Sequence, residues 1–199
     1  MSNLTSTTEI VRNARRLDSA KDFFALFPAA WREVKGEVRK LETRQEYQEP
    51  GNPSWELLKK GDFDGAMKAL PATREEDVPL YRSLDERGVR FLRLRPVALP
   101  LTDYLRWEIG AYDFNSKHGE LIYFVEWDAT ADLFERYARH DFMTFDDDLA
   151  LVHDYNENGL IQGGWEVNST ADVTALGALY QDIFSGSVPY SQYLETHGI

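Results

Sequence analysis

The spacing of apolar residues along the chain changes near Gly88. Before that residue, apolar positions recur at helical intervals of three and four in residues 8–38, 53–70 and 75–88. The first stretch is interrupted at Pro28, so the pattern predicts two short helices there, followed by an extended segment after residue 38. Gly88 is well placed to cap the last of these helices.

After Gly88 the period shortens, and strands alternate with helices. Residues 89–97, VRFLRLRPV, alternate apolar and basic side chains and predict a strand. Thr102 or Asp103 is placed to cap a helix that follows directly. The remaining pattern predicts a strand, a helix, two or three antiparallel strands, a closing amphipathic helix and a helical tail, over residues 120–127, 130–140, 141–167, 169–186 and 188–198.

This order, in which helices come first and strands mixed with helices follow, predicts an α/β or α+β fold with a mixed sheet and packing helices. We expect an N-terminal helical region over residues 1–80 and a mixed-sheet α/β domain over residues 81–199, together forming one compact unit. The chain has 199 residues, of which 43% are hydrophobic and 13% aromatic. That is enough to fill a core of this size.

Composition narrows the functional classes. The net charge of −12 gives an acidic surface that repels phosphate, so we expect no direct nucleic-acid binding. The chain has no Cys, which excludes disulfides, thiolate metal sites and cysteine nucleophiles. No apolar run approaches the roughly 20 residues that cross a bilayer, and the first residues lack a signal-peptide pattern. We therefore expect a cytoplasmic protein without membrane contact and without a cofactor.

Residues 151–167, LVHDYNENGLIQGGWEV, contain the D-x-N-x-N-G spacing that opens an EF-hand calcium loop. Such a loop needs a bidentate Glu at its twelfth position and a helix on each side. The twelfth position here is Trp165, and both flanks have strand composition. Asn and Gly tolerate positive φ, so residues 156–159 predict a hairpin turn and not a calcium site.

Asp146, Asp147 and Asp148 form the densest acidic run, with Asp141 and Asp154 near them in sequence. Clustered carboxylates attract Mg²⁺ or Ca²⁺, which would suit a metal-dependent phosphodiesterase. The alternative, which we favour, is a solvated acidic turn between two strands. The sequence thus predicts no metal site.

Two motifs on predicted elements are candidates for ligand binding. The helix segment DYLRWE presents Tyr104, Arg106, Trp107 and Glu108, which suit either a ligand pocket or an ordinary core-facing edge with an ion pair. Glu42, in the segment KLETRQEY, belongs to a second polar and aromatic cluster. For that cluster a surface strand with salt bridges is the favoured interpretation, and a binding element is the alternative.

The basic residues of the 89–97 strand, Arg90, Arg93 and Arg95, could attract an anion. Alternation more often indicates a solvated face opposite a buried one, and we expect that here. No P-loop, nucleophile elbow or Gly-rich dinucleotide fingerprint is present in the sequence. The lack of a complete catalytic constellation weighs against an enzyme and leaves the question open.

His140 and Asp147 lie seven residues apart, in HDFMTFDD. This spacing resembles the H-x-K-x-x-x-x-D motif of the phospholipase D superfamily, in which His is the nucleophile and Lys binds phosphate. Phe142 occupies the Lys position, and no second copy of the motif follows. The resemblance implies at most a remote, degenerate phospholipase D-like half.

A broader resemblance covers nearly the whole chain after residue 15. The segments that carry the similarity are RKLETRQEY, RSLDERGVRFLRLRPVALPLTDYLRWEIGAY and DFMTFDDDLALVHDYNENGLIQGGWEV, with SVPYSQY near the end. The chain is similar here to an uncharacterised actinobacterial family known only as a domain of unknown function. Its members are often encoded beside helix-turn-helix regulators, which implies a regulatory or sensory accessory role. Met143 and Leu149 depart from the family pattern, and losing the usual Arg at 149 puts a shared anion site in doubt.

These observations favour a non-catalytic accessory or sensor protein that binds a partner protein or a small ligand. The alternative is an enzyme of specialised metabolism, in which Arg106 orients an acidic substrate while Glu108, Asp146 and His153 complete the pocket and a carboxylate–His pair moves a proton. That alternative requires the four residues to converge in one concave pocket. Asp147 stays a further ligand-binding candidate, and the oligomeric state is left open.

Overall fold

Eight strands form one mixed sheet in the computed structural model, which describes residues 6–199. They are β1 (Arg15–Leu17), β2 (Glu37–Leu41), β3 (Arg90–Val97), β4 (Glu120–Glu126), β5 (Phe142–Phe145), β6 (Leu149–Tyr155), β7 (Ile161–Val167) and β8 (Val188–Pro189). Their order across the sheet is β1-β7-β6-β5-β2-β3-β4-β8. The predicted mixed sheet with packing helices is confirmed.

Parallel and antiparallel pairing divide the sheet into two parts. β2, β3 and β4 run parallel, with Lys40 of β2 opposite Arg93 of β3. β5, β6 and β7 form the predicted antiparallel meander, joined to β2 through β5. The short strands β1 and β8 pair antiparallel at the two edges.

Ten helices connect and cover these strands within the described residues. They are α1 (Thr7–Asn13), α2 (Ala20–Phe24), α3 (Phe27–Glu33), α4 (Pro53–Lys59), α5 (Phe63–Arg74), α6 (Val78–Glu86), α7 (Asp103–Lys117), α8 (Trp127–Tyr137), α9 (Thr170–Phe184) and α10 (Tyr190–His197). Within residues 6–199, no helix is long and apolar enough to cross a membrane.

Local signals explain where the main helices begin. The Asn52 side chain accepts hydrogen bonds from the backbone amides of Ser54 and Trp55 in the first turn of α4, and Pro53 is the first residue of that helix. Thr102 caps α7 by accepting from Leu105 N at 3.1 Å, as the sequence predicts. Gly88 ends the turn after α6 with φ of 68°, a conformation that glycine adopts at little steric cost.

Apolar side chains fill both sides of the sheet. Helices α1, α8 and α9 pack on one face, around Leu94, Phe142 and Val152. Helices α2, α3 and α6 pack on the other face, around Phe91 and Leu151. On that second face α7 covers β3 and β4, and α4 and α5 pack against α7.

The first 80 residues also supply two strands to the sheet. The extended segment predicted after residue 38 is β2, which lies between β5 and β3 near the middle of the sheet. Strand β1, by contrast, is absent from the predicted pattern. Three residues are too few to show an alternation, so no periodic signal marks this strand.

The turn between β6 and β7 is the predicted hairpin. Asn156 Oδ1 accepts hydrogen bonds from the backbone N–H groups of Asn158 and Leu160, both at 3.0 Å. Gly159 follows with φ of 82°. The Asn side chain is therefore occupied in closing the turn.

Gly163 and Gly164 in β7 permit a close approach of neighbouring segments. A Cβ atom on Gly163 would lie 2.2 Å from the carbonyl oxygen of Leu17, and one on Gly164 would lie 2.4 Å from Val152 O and from the Phe23 ring. Side chains at these positions would prevent β1 and α2 from packing on β7.

Candidate ligand-binding site

A cavity of about 500 Å³ lies between α7 and the sheet face formed by β2, β3 and β6. One stripe of α7 lines it, because positions three and four apart share a helix face. The stripe consists of Tyr104, Glu108, Ala111, Tyr112 and Asn115. The volume falls within the range of small-molecule sites.

The sheet side of the cavity carries charged residues because alternate side chains share a face. Lys40 and Arg93 are register partners on the adjacent strands β2 and β3. Glu42 follows two positions after Lys40 and is buried on the same side. Charge is thus concentrated where α7 covers the sheet.

Glu42 is the centre of an ionic network. Its carboxylate lies 2.7 Å from Lys40 Nζ, 2.7 Å from Arg93 Nη1 and 3.4 Å from Arg95 Nη1. Burial opposes ionisation of Glu42, but the positive charges of Arg93, Lys40 and Arg95 outweigh it and hold its pKa well below the ordinary value. Glu42 is therefore a fixed negative charge.

Arg93 extends the network towards β4. Its Nε donates to Glu120 Oε1 at 2.6 Å, and the other carboxylate oxygen of Glu120 accepts from Tyr81 Oη at 2.9 Å. Its guanidinium also lies over the Tyr112 ring, 5.3 Å from the centroid. These contacts fix the Arg93 side chain in one orientation.

The expectation of a solvated basic face on β3 is wrong. Arg95 is 0% exposed and Arg93 is 8% exposed, whereas the Arg90 side chain is 65% exposed. Arg90 lies on the opposite face from the other two, since residues three apart in a strand point to opposite sides. Helices cover both faces, so a basic position here is buried with its carboxylate partners.

Glu108 of α7 pairs with Arg95 across the cavity wall. Arg95 Nη2 lies 2.9 Å from Glu108 Oε2. Burial raises the pKa of Glu108, and the Arg95 charge opposes that rise. Tyr104 Oη donates to Glu49 Oε1 at 2.7 Å and lies 3.3 Å from Glu108 Oε1, which joins the helix to the loop after β2.

Aromatic rings form much of the remaining wall. Tyr47 contacts the rings of Tyr104 and Tyr155, with centroids 5.8 and 5.2 Å apart. His153 and Tyr155 lie two positions apart on β6, with rings only 4° from parallel. The Arg95 guanidinium lies 5.1 Å from the Tyr47 centroid, so aromatic and charged surfaces adjoin.

Asp141 anchors the loop that carries Tyr47. Its carboxylate accepts from Thr43 N at 2.7 Å, from Thr43 Oγ1 at 2.6 Å and from Tyr47 Oη. Burial raises the pKa of Asp141, and these hydrogen bonds oppose the rise. The loop reaches the β6–β7 hairpin as well, because Gln48 N donates to Gly159 O at 3.0 Å.

Four lining residues have a buried polar atom without a hydrogen-bond partner among the described residues: Arg74 Nε, Glu108 Oε2, Asn115 Oδ1 and His153 Nδ1. Arg74 and Glu108 take part in ion pairs, which leaves Asn115 and His153 as the uncharged pair. His153 is 7% exposed and Asn115 is 3% exposed. Unsatisfied buried polar atoms are rare in native proteins. A bound polar molecule would supply the missing partners.

His153 is held neutral by its surroundings. Burial lowers its pKa to about 3, and the charge of Lys40 acts in the same direction. Efficient general bases have a pKa near the working pH, so His153 is too weak a base for that role at neutral pH. Its neutral imidazole can donate or accept a hydrogen bond.

The structure brings four of the eight candidate residues to the cavity: Glu42, Tyr104, Glu108 and His153. Trp107 is instead completely buried between α7 and α4, where its indole N–H donates to Ser54 Oγ at 2.7 Å. Its position in the candidate motif reflects core packing.

Arg106, Asp146 and Asp147 lie elsewhere. Arg106 is 56% exposed and 3.9 Å from Asp103. Asp146 accepts hydrogen bonds at 2.8–2.9 Å from the backbone amides of residues 35–37, and the exposed Asp147 lies 3.4 Å from Arg39. The four-residue enzyme pocket that includes Arg106 and Asp146 is therefore not formed.

Several lining residues were not among the residues predicted from the sequence. Glu49, Arg74, Tyr112, Asn115 and Tyr155 reach the cavity from the loop after β2, from α5, from α7 and from β6. The helical spacing of Tyr112 and Asn115 relative to Glu108 is a signal that could have found those two. The others depend on contacts between distant parts of the chain.

The phospholipase D-like pair does not form part of this site. His140 Nδ1 lies 3.2 Å from Thr7 Oγ1, and the His140 ring packs edge-on against Trp165. Neither His140 nor Asp147 lines the cavity. Across residues 6–199, no three His, Cys, Asp or Glu side chains are grouped so that they could hold a metal ion.

Residues 25–195 match the family model described as "Domain of unknown function (DUF6879)". The predicted resemblance to an uncharacterised family is thereby confirmed at that level. No protein with curated annotation matches the chain.

The solved structure of TrmBL2, described as an archaeal chromatin protein with a novel mode of DNA binding, is similar in fold, with a TM-score of 0.45 and 8% sequence identity. The match covers 89% of this chain and only 55% of that one. The predicted exclusion of direct nucleic-acid binding is corrected by this finding, because a net charge describes the whole chain and not each surface. DNA binding is described for TrmBL2 and is not assigned to this chain.

Proposed function

We propose that this chain, which belongs to the DUF6879 family of domains of unknown function, binds a small organic ligand in the cavity between α7 and the sheet. We assign it a non-catalytic role, as an accessory or sensor protein whose state depends on that ligand. The proposal concerns the cavity wall formed by Glu42, Glu108, Tyr104 and His153.

One observation carries the proposal: the cavity wall combines a buried ionic network with buried polar atoms that have no hydrogen-bond partner in the described part of the chain. Glu42, Arg93 and Arg95 are held in place by several contacts each. Asn115 Oδ1 and His153 Nδ1 have no hydrogen-bond partner within residues 6–199. Concave sites with many apolar groups and a few fixed polar groups are typical of small-molecule binding.

The state of the ionisable groups supports a non-catalytic role. The carboxylates of Glu42 and Glu108 are each within ion-pair distance of an Arg side chain. The low pKa of His153 makes it a weak base. A pocket built in this way can recognise a molecule, and neither Glu42 nor His153 has a pKa suited to proton transfer at neutral pH.

The finer expectations stay part of this proposal. A cytoplasmic location and a link to a helix-turn-helix regulator are implied by the sequence pattern and the family resemblance, respectively. Under this proposal the ligand alters how the chain engages a partner protein. That link predicts that a pull-down from the native host retains a DNA-binding regulator.

The experiment that tests ligand binding is native mass spectrometry of the full chain purified gently from its native host. We expect a population heavier than the chain by the mass of one small organic molecule, which mild denaturation releases for identification. Ala20→Trp should abolish this adduct, because Ala20 lines the cavity at a partly exposed position where a bulky ring would fill the space.

The matched control is Ala131→Trp, the same change at an exposed position of α8 on the other side of the sheet. It should retain the adduct. An adduct that survives in Ala20→Trp places the molecule elsewhere, and complete absence of any adduct in the wild-type chain contradicts the proposal.

A further inference from the structure

We infer that the ligand of this cavity is a planar heteroaromatic molecule without net charge. The inference rests on the proposed function, since it names the chemical class that the same site would accept. It follows from three separate features of the wall: its charge balance, its aromatic surface and its unpartnered polar atoms.

The charges that line the cavity are balanced. Three side chains are positive and three are negative: Lys40, Arg74 and Arg93, with Glu42, Glu49 and Glu108. Each has an opposite charge within 3.6 Å, counting Arg95 as the partner of Glu108. A charged ligand would lose its hydration without gaining a free counter-ion, which is strongly unfavourable.

The aromatic surface favours a flat ring. Tyr47, Tyr104 and Tyr155 form a continuous group of contacting rings. The ring of His153 continues this surface, and Phe24 also lines the cavity. Aromatic pairs gain stabilisation from stacking and edge contacts beyond the area they bury, which an aliphatic ligand does not obtain.

The unpartnered atoms require polar groups on that ring. Asn115 Oδ1 and His153 Nδ1 are nine-tenths or more buried, with neither atom hydrogen-bonded among the described residues. The neutral imidazole accepts or donates one hydrogen bond at this nitrogen, and the amide oxygen accepts. Ring nitrogens and N–H groups supply both functions without adding charge.

The test uses three scaffolds (indole, quinoline and benzimidazole), each as the carboxamide, the carboxylate and the aminomethyl compound. Near neutral pH the three forms are uncharged, negative and positive, while their ring systems are unchanged. Binding to the full chain is followed by ¹H–¹⁵N chemical-shift changes. We expect the best carboxamide to have a dissociation constant at least about tenfold lower than either charged form.

Two variants change the charge balance in opposite directions. Lys40→Met removes a positive charge and leaves Glu42 with Arg93 and Arg95. Glu49→Gln removes a negative charge and keeps an oxygen that can accept from Tyr104 Oη. Both side chains are partly exposed, 21% and 26%, so both variants should fold, as their spectra will show.

In Lys40→Met the affinity ratio should move towards the aminomethyl compounds, and in Glu49→Gln towards the carboxylates, each on the order of tenfold. Equal or tighter binding of a charged form by the wild-type chain overturns the inference, as do variants that leave the ratio unchanged. If none of the compounds binds while the host-purified chain carries an adduct, the class is wrong and the proposed function stands. If there is no adduct either, both fail.

Discussion

Arg95 Nη2 and Glu108 Oε2 lie 2.9 Å apart, with side chains 0% and 7% exposed. The pair connects the middle strand of the parallel set to the helix that covers it. Because both charges are removed from water, each depends on the other. The same contact fixes the wall of the cavity, so stability and ligand recognition share it.

Replacing Arg95 by Met should lower the free energy of unfolding by about 3–5 kcal/mol, because Glu108 then stays buried without its counter-charge. Urea denaturation monitored by Trp fluorescence measures the loss. The double variant Arg95→Met with Glu108→Leu should recover much of it. Arg106→Met, on the exposed side of α7, is the matched control and should change stability by about 0–1 kcal/mol.

The stability of the chain should fall with acidity through His153. Its pKa is about 3 in the folded chain and 6.5 in its ordinary environment, so between these values only the unfolded chain takes up the proton. The contribution is complete above pH 6.5 and is lost as the pH falls. The loss, relative to neutral pH, amounts to about 2 kcal/mol at pH 5.

His153→Phe removes this titration and keeps a ring against Phe23. The urea midpoint of the variant should depend less on pH between 8 and 5 than that of the wild type. The ionisable groups that the two proteins share contribute equally to the pH dependence of both, so their contributions cancel in this comparison. Equal pH dependence in the two proteins would show that His153 is not held neutral by burial.

Asp146→Ala should lower the free energy of unfolding by about 1–2 kcal/mol, since three backbone amides lose their acceptor. Although partial burial opposes ionisation, those amides hold the pKa of Asp146 below 3.8. The stabilisation is therefore present above pH 3.8 and shrinks as the pH falls through the folded-state value. Thermal melts of both variants measure the effect, and Asp147→Ala, one residue later and exposed, should leave the melting temperature nearly unchanged.

Gly164→Ala should destabilise the chain by about 1–3 kcal/mol, because the added methyl group meets Val152 O and the Phe23 ring at 2.4 Å. Gly186→Ala is a suitable comparison, since its nearest neighbour, Val125 Cγ2, lies 3.7 Å away. Calorimetric melting temperatures of the two variants separate steric conflict from a general effect of losing glycine. Similar melting temperatures would contradict the role assigned to Gly164.

The sequence predicts much of the secondary structure because most elements have a clear period or cap. Thr102 and Gly88 mark helix boundaries, and Asn156 marks the hairpin. Such signals do not predict the burial of Arg95, because alternation identifies the two faces of a strand but does not show which face a distant helix covers. The three-residue strand β1 was missed for a related reason: its pairing partner is in β7.

Half of the candidate site residues line the cavity and half lie away from it. Arg106 and Glu108 are two residues apart on α7, yet they point to opposite sides, because neighbouring positions on a helix are about 100° apart. A motif of mixed charge and aromatic residues does not show which of its members face inward. Only the position of β3 relative to α7 decides that.

The wall of the cavity comes from distant stretches of chain, among them the β2 end with its loop, α7, and the β6–β7 hairpin, which Gln48 N joins to the loop at Gly159 O. No single stretch can hold a ligand by itself. Occupancy would therefore stabilise only the complete fold, by about 2.7 kcal/mol at a hundredfold excess over the dissociation constant. In a cell, such a chain would report ligand through its resistance to proteolysis and hence through its abundance.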